Sequence, residues 1–149
     1  MFDVVVPLGP YDISRFRIGL PLNRKNVVGA RHIYVVASAA TLDCIRDLAS
    51  QTVILIDEAC FPFSKADITA ALGDSKRSGW YLQQLIKLYA GFIIPLCAAA
   101  WLVIDADTMF LKPTVFFHDG RAAFNVAVEI RKEYFDHAAR LHPSLRLVS

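Results

Sequence analysis

The chain has 149 residues, a length that corresponds to one domain or to one part of a larger one. Its 55% hydrophobic and 20% charged residues exclude an intrinsically disordered protein and allow a sizeable core without a disulfide or metal. The net charge of +2, with Lys and Arg scattered along the chain, excludes a basic surface of the kind that binds nucleic acids.

Short apolar strands alternate with helices in the first half of the sequence. Strands are predicted at residues 2–6, 32–37 and 52–56, each an apolar run bounded by turn or polar residues. A helix is predicted within residues 12–22. Thr41 resembles an N-cap residue, and the helix predicted after it places one apolar stripe toward the core, formed by Leu42, Ile45, Leu48 and Ala49.

The second half continues the alternation up to residue 113. Ser64 is predicted to cap a short helix that ends near Gly73, and a longer helix is predicted at residues 78–90. A fourth strand follows at residues 101–104. Beyond Pro113 the pattern is weaker, and it favours a strand at 123–128, a helix at 134–141 and a strand-like LRLVS ending.

One uncharged stretch has nearly the length of a membrane span. Residues 88–104 are 17 residues without a charge, close to the ~17–25 that a transmembrane helix needs. Gly91 and Pro95 interrupt this stretch, and an amphipathic pattern enters it from Trp80. We therefore predict a helix end, a tight connection and a strand, with no membrane span.

The cysteines and the N-terminus indicate the compartment. Cys44, Cys60 and Cys97 are odd in number and have no metal-binding spacing, and Asp3 and Pro7 interrupt the apolar start that a signal peptide would need. The expected location is the cytoplasm.

This order of elements predicts an α/β fold with a mostly parallel sheet flanked by helices. In such sheets ligands bind at the carboxyl ends of the strands. Those ends are predicted to carry Pro7-Leu8, Ala37-Ser38, Asp57-Glu58 and Asp105-Ala106-Asp107. The functional site is expected at this edge.

Asp105 and Asp107 follow directly on the apolar strand in WLVIDADTMFLKP, and three interpretations compete. In the first, the two aspartates are turn and cap residues. In the second, they belong to the nucleophile motif of a haloacid-dehalogenase-type phosphatase. In the third, they form a metal-binding Asp-x-Asp (DxD) motif. The phosphatase motif is D-x-D-x-T on the first strand, whereas here Thr108 comes one place early, Met109 holds the fifth position and the strand is the fourth. Paired carboxylates suit hard cations such as Mg²⁺ and Mn²⁺.

Three segments carry a resemblance to a known family. FDVVVPLGPYD resembles the opening strand and loop of nucleotide-sugar glycosyltransferases with the GT-A fold, GWYLQQLIKLYAGFIIP the helix before their DxD strand, and WLVIDADTMFLKP that strand itself. Over its whole length the chain is similar to a bacterial family of proposed glycosyltransferases described mainly as a domain of unknown function. The resemblance implies a Rossmann-like nucleotide-binding half of a GT-A fold.

It also implies a function. The expected activity is metal-dependent transfer from a nucleoside-diphosphate sugar, with UDP as the usual nucleotide, to a saccharide acceptor, in bacterial surface polysaccharide synthesis. Asp105 and Asp107 would hold Mn²⁺ or Mg²⁺, and Asp105 could also reach the ribose. The other nucleotide-binding residues would be Pro7, Leu8 and Asp57 at the base, and Lys87 near the phosphates or the DxD carboxylates.

The acceptor half that such enzymes build after the DxD motif is largely missing from the sequence. Residues 1–149 are therefore expected to form a single nucleotide-sugar-binding domain that is incomplete at its C-terminus. The alternative to an enzyme is a non-catalytic, truncated nucleotide-sugar-binding domain.

Overall fold

The computed structural model of the protein describes residues 1–73, 76–123 and 132–142. Its strands are β1 (Phe2–Pro7), β2 (Val27–Val28), β3 (Ala30–Ala37), β4 (Val53–Asp57), β5 (Trp101–Val103), β6 (Thr114–Val115), β7 (Phe117–His118) and β8 (Arg121–Ala122). Its helices are α1 (Ile13–Asn26), α2 (Ala39–Asp43), α3 (Lys65–Leu72), α4 (Ser78–Ile93) and α5 (Lys132–Leu141). Short 3-10 turns lie at Pro10–Asp12, Arg46–Leu48 and Glu58–Cys60.

Four parallel strands form the central sheet, in the order β4-β3-β1-β5, and this confirms the predicted α/β fold. The chain runs from β1 outward to β3 and β4, then returns to the other side of β1 as β5. The strand order therefore reverses between β1 and β5, which is the position where open α/β sheets bind their ligands. Separately, β2 pairs with β6 in parallel, and β7 with β8 in antiparallel orientation.

The core has two layers, one on each face of the sheet. Val4 and Val6 of β1 face the layer that contains Phe16 and Leu20 of α1. On the other face, Val5 packs in a layer built mainly from α3 and α4, whose buried side chains are Ile68, Leu82, Ile86 and Ala90. Because β1 is covered on both faces, its residues 4–6 form a continuous apolar run with no alternation.

The boundaries of α3 and α4 follow the sequence signals closely. The Ser64 side chain accepts a hydrogen bond from the Asp67 amide, and the Asp67 carboxylate accepts one from the Ser64 amide, which makes a capping box. Gly73 ends α3 in the left-handed conformation, with φ of 66°. Helix α4 begins at Ser78 as predicted and continues three residues past 90, to Ile93.

The predicted helix after Thr41 is wrong. The N-cap position belongs to Ser38, Thr41 lies inside α2, and α2 ends at Asp43. The backbone leaves the helical region at Ile45, where φ is −125°, and the Ile45 side chain is fully buried. Ile45 therefore reaches the core, as the predicted apolar stripe required, but from the turn after α2 and not from a continuing helix.

Helix α1 extends past the predicted limit of residue 22 to Asn26, with Pro21 inside it. The helix predicted at 134–141 is present as α5. The LRLVS segment and the strand predicted at 123–128, apart from residue 123, lie outside the described residues. Within 1–73, 76–123 and 132–142, no helix combines the length and the apolar character that crossing a bilayer requires.

Candidate functional site

A continuous cleft runs along the carboxyl edge of the sheet. It consists of three adjoining cavities of about 450, 440 and 250 Å³, which we call the β4, middle and β5 cavities. The β4 and middle cavities share Ser38, Glu58, Lys65 and Leu82. The middle and β5 cavities share Pro7, Asp12, Trp80 and Gln83. The cleft thus crosses the end of β1 and reaches the point where the strand order reverses.

Asp105 and Asp107 lie on a tight turn at the end of β5. The Thr108 amide donates to the Asp105 carbonyl at 3.0 Å, closing the turn. The Ile104 amide donates to the Val5 carbonyl at 3.1 Å and ties the start of this turn to β1. Between the two aspartates, Ala106 is buried, while both carboxylates are exposed and line the β5 cavity. The turn, and not an extended strand, brings the pair to one cavity.

Lys87 contacts the first of these aspartates. Its Nζ lies 2.5 Å from Asp105 Oδ1, and its side chain is 17% exposed compared with 63% for Asp105. Trp80, Gln83, Gln84 and Lys87 all line the β5 cavity. Their spacing of three, four and seven residues puts them on one side of α4. Of the two places expected for Lys87, near the phosphates or near these carboxylates, the structure shows contact with Asp105.

Two contacts hold helix α4 next to strand β5. The Trp101 indole Nε1 donates to the Lys87 carbonyl at 3.3 Å. Gly91 faces the same indole so closely that a Cβ at this position would overlap the ring. Trp101 therefore packs directly on the α4 backbone, and the glycine permits the approach.

Buried asparagines of α1 hold the chain that follows the DxD turn. Asn23 Nδ2 donates to the Thr108 carbonyl at 2.8 Å, and Asn23 Oδ1 accepts from the Phe110 amide at 2.9 Å. Asn26 Nδ2 donates to the Phe110 carbonyl. Sequence reasoning missed this support, because Asn23 and Thr108 are 85 residues apart and no local pattern marks the pair.

Pro7 and Leu8 form the floor of the cleft at the end of β1. The Leu8 amide donates to the Val36 carbonyl at 2.8 Å, which extends the β1–β3 pairing. Pro7 lines the middle and β5 cavities, and Leu8 lines the middle one. Two of the three residues predicted to contact a base thus lie together at the middle cavity.

Asp57 and Glu58 follow one another at the end of β4, on the β4 side of the cleft. Asp57 lines the β4 cavity, at the far end of the cleft, and its Oδ1 accepts from the Ala59 amide at 2.9 Å. Glu58 lines both the β4 and the middle cavity. Burial, together with the neighbouring Asp57 carboxylate, raises the pKa of Glu58 above its ordinary value, and Lys65 opposes this. The sequence analysis named only Asp57 as a binding residue, although the adjacent Glu58 faces more of the cleft.

Asp12 is a further carboxylate that sequence reasoning did not single out. It lines both the middle and the β5 cavity, and its Oδ1 lies 3.0 Å from the Arg15 guanidinium. Even so, the described residues contain no group of three or more His, Cys, Asp or Glu side chains that could hold a metal ion. The protein itself offers the Asp105–Asp107 pair, with one Asp105 oxygen already in contact with Lys87.

The fold matches a glycosyltransferase structure. The crystal structure of mouse xyloside xylosyltransferase 1 in its apo form aligns with a TM-score of 0.50 at 10% sequence identity, over 75% of this chain and 45% of that one. The chain thus spans less than half of that enzyme, and at this identity the match shows a glycosyltransferase-like fold. No curated protein matches the sequence. A family model matches residues 25–144, and the chain belongs to that family, the family of unknown function DUF6492.

Proposed function

We propose that the cleft binds a nucleoside-diphosphate sugar together with Mn²⁺ or Mg²⁺, and that the chain is the nucleotide-binding part of a glycosyltransferase. UDP is the nucleotide, and a saccharide is the acceptor. The observation that carries this proposal is the position of the DxD turn. Its two carboxylates stand at the reversal of strand order beside β1, next to Lys87 and in a cleft long enough for an extended ligand.

The donor atoms of the turn fit a hard divalent cation. Carboxylate oxygens are preferred ligands of Mg²⁺ and Mn²⁺, which keep several positions for water and phosphate. Asp107 would hold the cation directly, and Asp105 would hold it, the ribose, or both. A bound cation supplies charge stabilisation for a departing nucleoside diphosphate.

A site built from two carboxylates is incomplete by itself. The described residues contain no group of three His, Cys, Asp or Glu side chains that could hold a metal ion, so the remaining ligands would come from the pyrophosphate and water. This proposal therefore requires metal and nucleotide to bind cooperatively. Lys87 would remain beside Asp105 as the cation that faces the phosphates, a role that the 2.5 Å contact between the two residues supports.

The middle of the cleft suits the base. Pro7 and Leu8 offer it an apolar floor at the middle cavity. Asp57 is less well placed to contact the base than we expected, because its Oδ1 caps the turn at Glu58–Cys60 and the residue lines the β4 cavity only. We keep it as an outer contact of the base.

Two alternatives remain open to experiment. A non-catalytic nucleotide-sugar-binding domain would bind the same ligands in the cleft without turnover. A dehalogenase-type phosphatase needs its nucleophile on the first strand, whereas Asp105 follows β5 at one side of the sheet. The experiment below addresses binding, which the first alternative shares and the second does not.

Thermal unfolding tests the proposal. UDP and Mn²⁺ together should raise the melting temperature by more than the sum of their separate effects, because ligands that bind the folded state stabilise it. Asp107→Asn should remove this joint effect and leave the ligand-free melting temperature nearly unchanged, since the Asp107 carboxylate is exposed.

Asp119→Asn is the matched control. Asp119 is 88% exposed at the tip of the β7–β8 hairpin, with φ of 48°, a conformation that Asn adopts readily. This variant should keep the full joint effect. The proposal would be refuted if the joint rise in melting temperature were lost in both variants or absent in the wild type. If Asp107→Asn unfolded the protein, the Asp107 carboxylate would have a structural role.

A further inference from the structure

Helix α4 is apolar on two opposite sides. Its inner side contributes the buried Leu82, Ile86 and Ala90 to the core. Its outer side is also apolar, and Lys87, the one charged residue of the helix, turns to Asp105 in the cleft. A helix that is apolar all round is normally covered on all sides. The outer side of α4 therefore lacks a cover among the described residues.

The exposed side chains form a regular stripe. Tyr81, Leu85, Leu88 and Phe92 follow one another at intervals of four, three and four residues. We call these four residues the α4 stripe. Tyr81 is 37%, Leu88 64% and Phe92 79% exposed, while Leu85 is half-buried against the core. Intervals of four and three residues are the spacing by which one helix packs along another. The occupant indicated by this spacing is a second helix.

The exposed area is close to that of a protein interface. Trp80 and Tyr89 flank the stripe and are 56% and 41% exposed. Since an aromatic side chain carries about 150–250 Å² of surface, the stripe and its flanks expose on the order of 600 Å². That is the upper end of the ~300–600 Å² typical of the largest patch on a monomer. It is also near the ~800 Å² that each partner contributes to a standard interface.

We propose that the α4 stripe is a self-association surface, on which two copies of this chain pack α4 against α4 around a two-fold axis. With that axis perpendicular to the helices, the two helices run antiparallel, and Tyr81 of each copy comes near Phe92 of the other. The stripe contains no charged residue, so bringing two identical copies together places no like charges opposite each other. This inference does not depend on the proposed nucleotide site.

Sedimentation equilibrium of the whole chain tests the inference. We expect a monomer–dimer equilibrium within the micromolar concentration range. Leu88→Glu should weaken dimerisation by at least tenfold, because it places a charge in the centre of the apolar contact. Leu111→Glu is the matched control, since Leu111 is 81% exposed but follows the DxD turn, outside α4, and its dimer should match the wild type.

Both variants should stay folded, because both leucines are largely exposed, and a far-UV circular dichroism melt checks this. A wild type that is monomeric up to high micromolar concentration would overturn the inference. So would a dimer equally weakened by both substitutions, or association that grows without limit past the dimer. Binding of the monomer to phosphatidylcholine–phosphatidylglycerol vesicles, lost in Leu88→Glu only, would assign the stripe to a lipid surface and also overturn it.

Discussion

Lys87 and Asp105 are 18 residues apart in the sequence, yet the lysine Nζ lies 2.5 Å from the carboxylate Oδ1 at the edge of the β5 cavity. The contact joins the helix that lines the cleft to the turn that carries both candidate metal ligands. Because the lysine is mostly buried and the aspartate mostly exposed, the pair can open toward a ligand on the aspartate side. This arrangement suits an anion and a cation that bind together.

Replacing Lys87 should affect binding more than stability. An ion pair with an exposed partner stabilises a protein by ~0–1 kcal/mol, so Lys87→Met should lower the free energy of unfolding by about that amount. Removal of the cation that faces the phosphates should weaken UDP binding by roughly tenfold, or about 1.4 kcal/mol. Lys112→Met, on the exposed chain after the DxD turn, is the control. Unchanged UDP affinity in the Lys87 variant, measured by calorimetry, would remove Lys87 from the site.

Two glycines of α4 should respond in opposite ways to alanine. At Gly91 the added methyl group would overlap the Trp101 ring, and overpacking of this kind costs about 1–3 kcal/mol. At Gly79 nothing lies within 4 Å of the added atom, and Gly→Ala in a helix adds up to ~1 kcal/mol of stability. Urea unfolding of both variants measures the difference. Equal effects would show that Trp101 does not pack on α4 as described.

The contacts of Lys87 with Asp105 and of Gly91 with Trp101 show which features could be predicted from the sequence and which could not. The apolar strands, and with them the place of the DxD motif after the fourth strand, follow from local periodicity, and the structure has them as expected. Lys87 was named only from the resemblance of its helix. Contacts between distant segments have no local pattern. The support of Phe110 by Asn23 and Asn26, and the fit of Trp101 on Gly91, could therefore not be predicted. Thr41 was misassigned as the N-cap because Ser38, another residue type favoured at that position, lies three residues earlier and begins the helix.

Asp3 should contribute strongly to stability. It is fully buried at the start of β1, where Arg31 donates to both of its oxygens at 3.0 and 2.7 Å, and the His32 and Ala98 amides donate as well. Removing one partner of a buried pair costs ~3–5 kcal/mol, and since Arg31 is 36% exposed, we expect about 2–4 kcal/mol for Asp3→Asn. Asp43→Asn, at an exposed i,i+3 pair, should cost less than ~1 kcal/mol.

The Asp3 effect should depend on pH. Burial alone would raise the pKa of Asp3, but the hydrogen bonds from Arg31 and the two amides outweigh it and lower the pKa below the ordinary value of 3.8. A lowered folded-state pKa gives stability that is complete above the unfolded value and is lost as the pH falls toward the folded value. The difference in unfolding free energy between wild type and Asp3→Asn should thus be constant above about pH 5 and shrink below 3.8. A difference that grows on acidification would contradict this.

The charged Glu58 carboxylate should have the opposite effect on stability from that of Asp3. Its pKa is raised above the ordinary value of 4.5 by burial and by Asp57, so the charged form is destabilising at neutral pH. Glu58→Gln should therefore raise the melting temperature slightly at pH 7, and the gain should disappear near pH 4, where the wild-type carboxyl is also protonated. Glu133→Gln on the exposed surface of α5 should change neither value. A Glu58→Gln variant that melts lower at pH 7 would mean that the charged carboxylate has a stabilising partner.

Calorimetric titration of UDP into the protein, with Mn²⁺ or with EDTA, tests the central claim most directly. With Mn²⁺ we expect a dissociation constant in the micromolar range, about −8 kcal/mol. With EDTA, or in Asp107→Asn with Mn²⁺ present, affinity should fall at least tenfold, because the pyrophosphate and the DxD turn share the cation. Equal affinity with and without the metal, or full affinity in Asp107→Asn, would contradict the account.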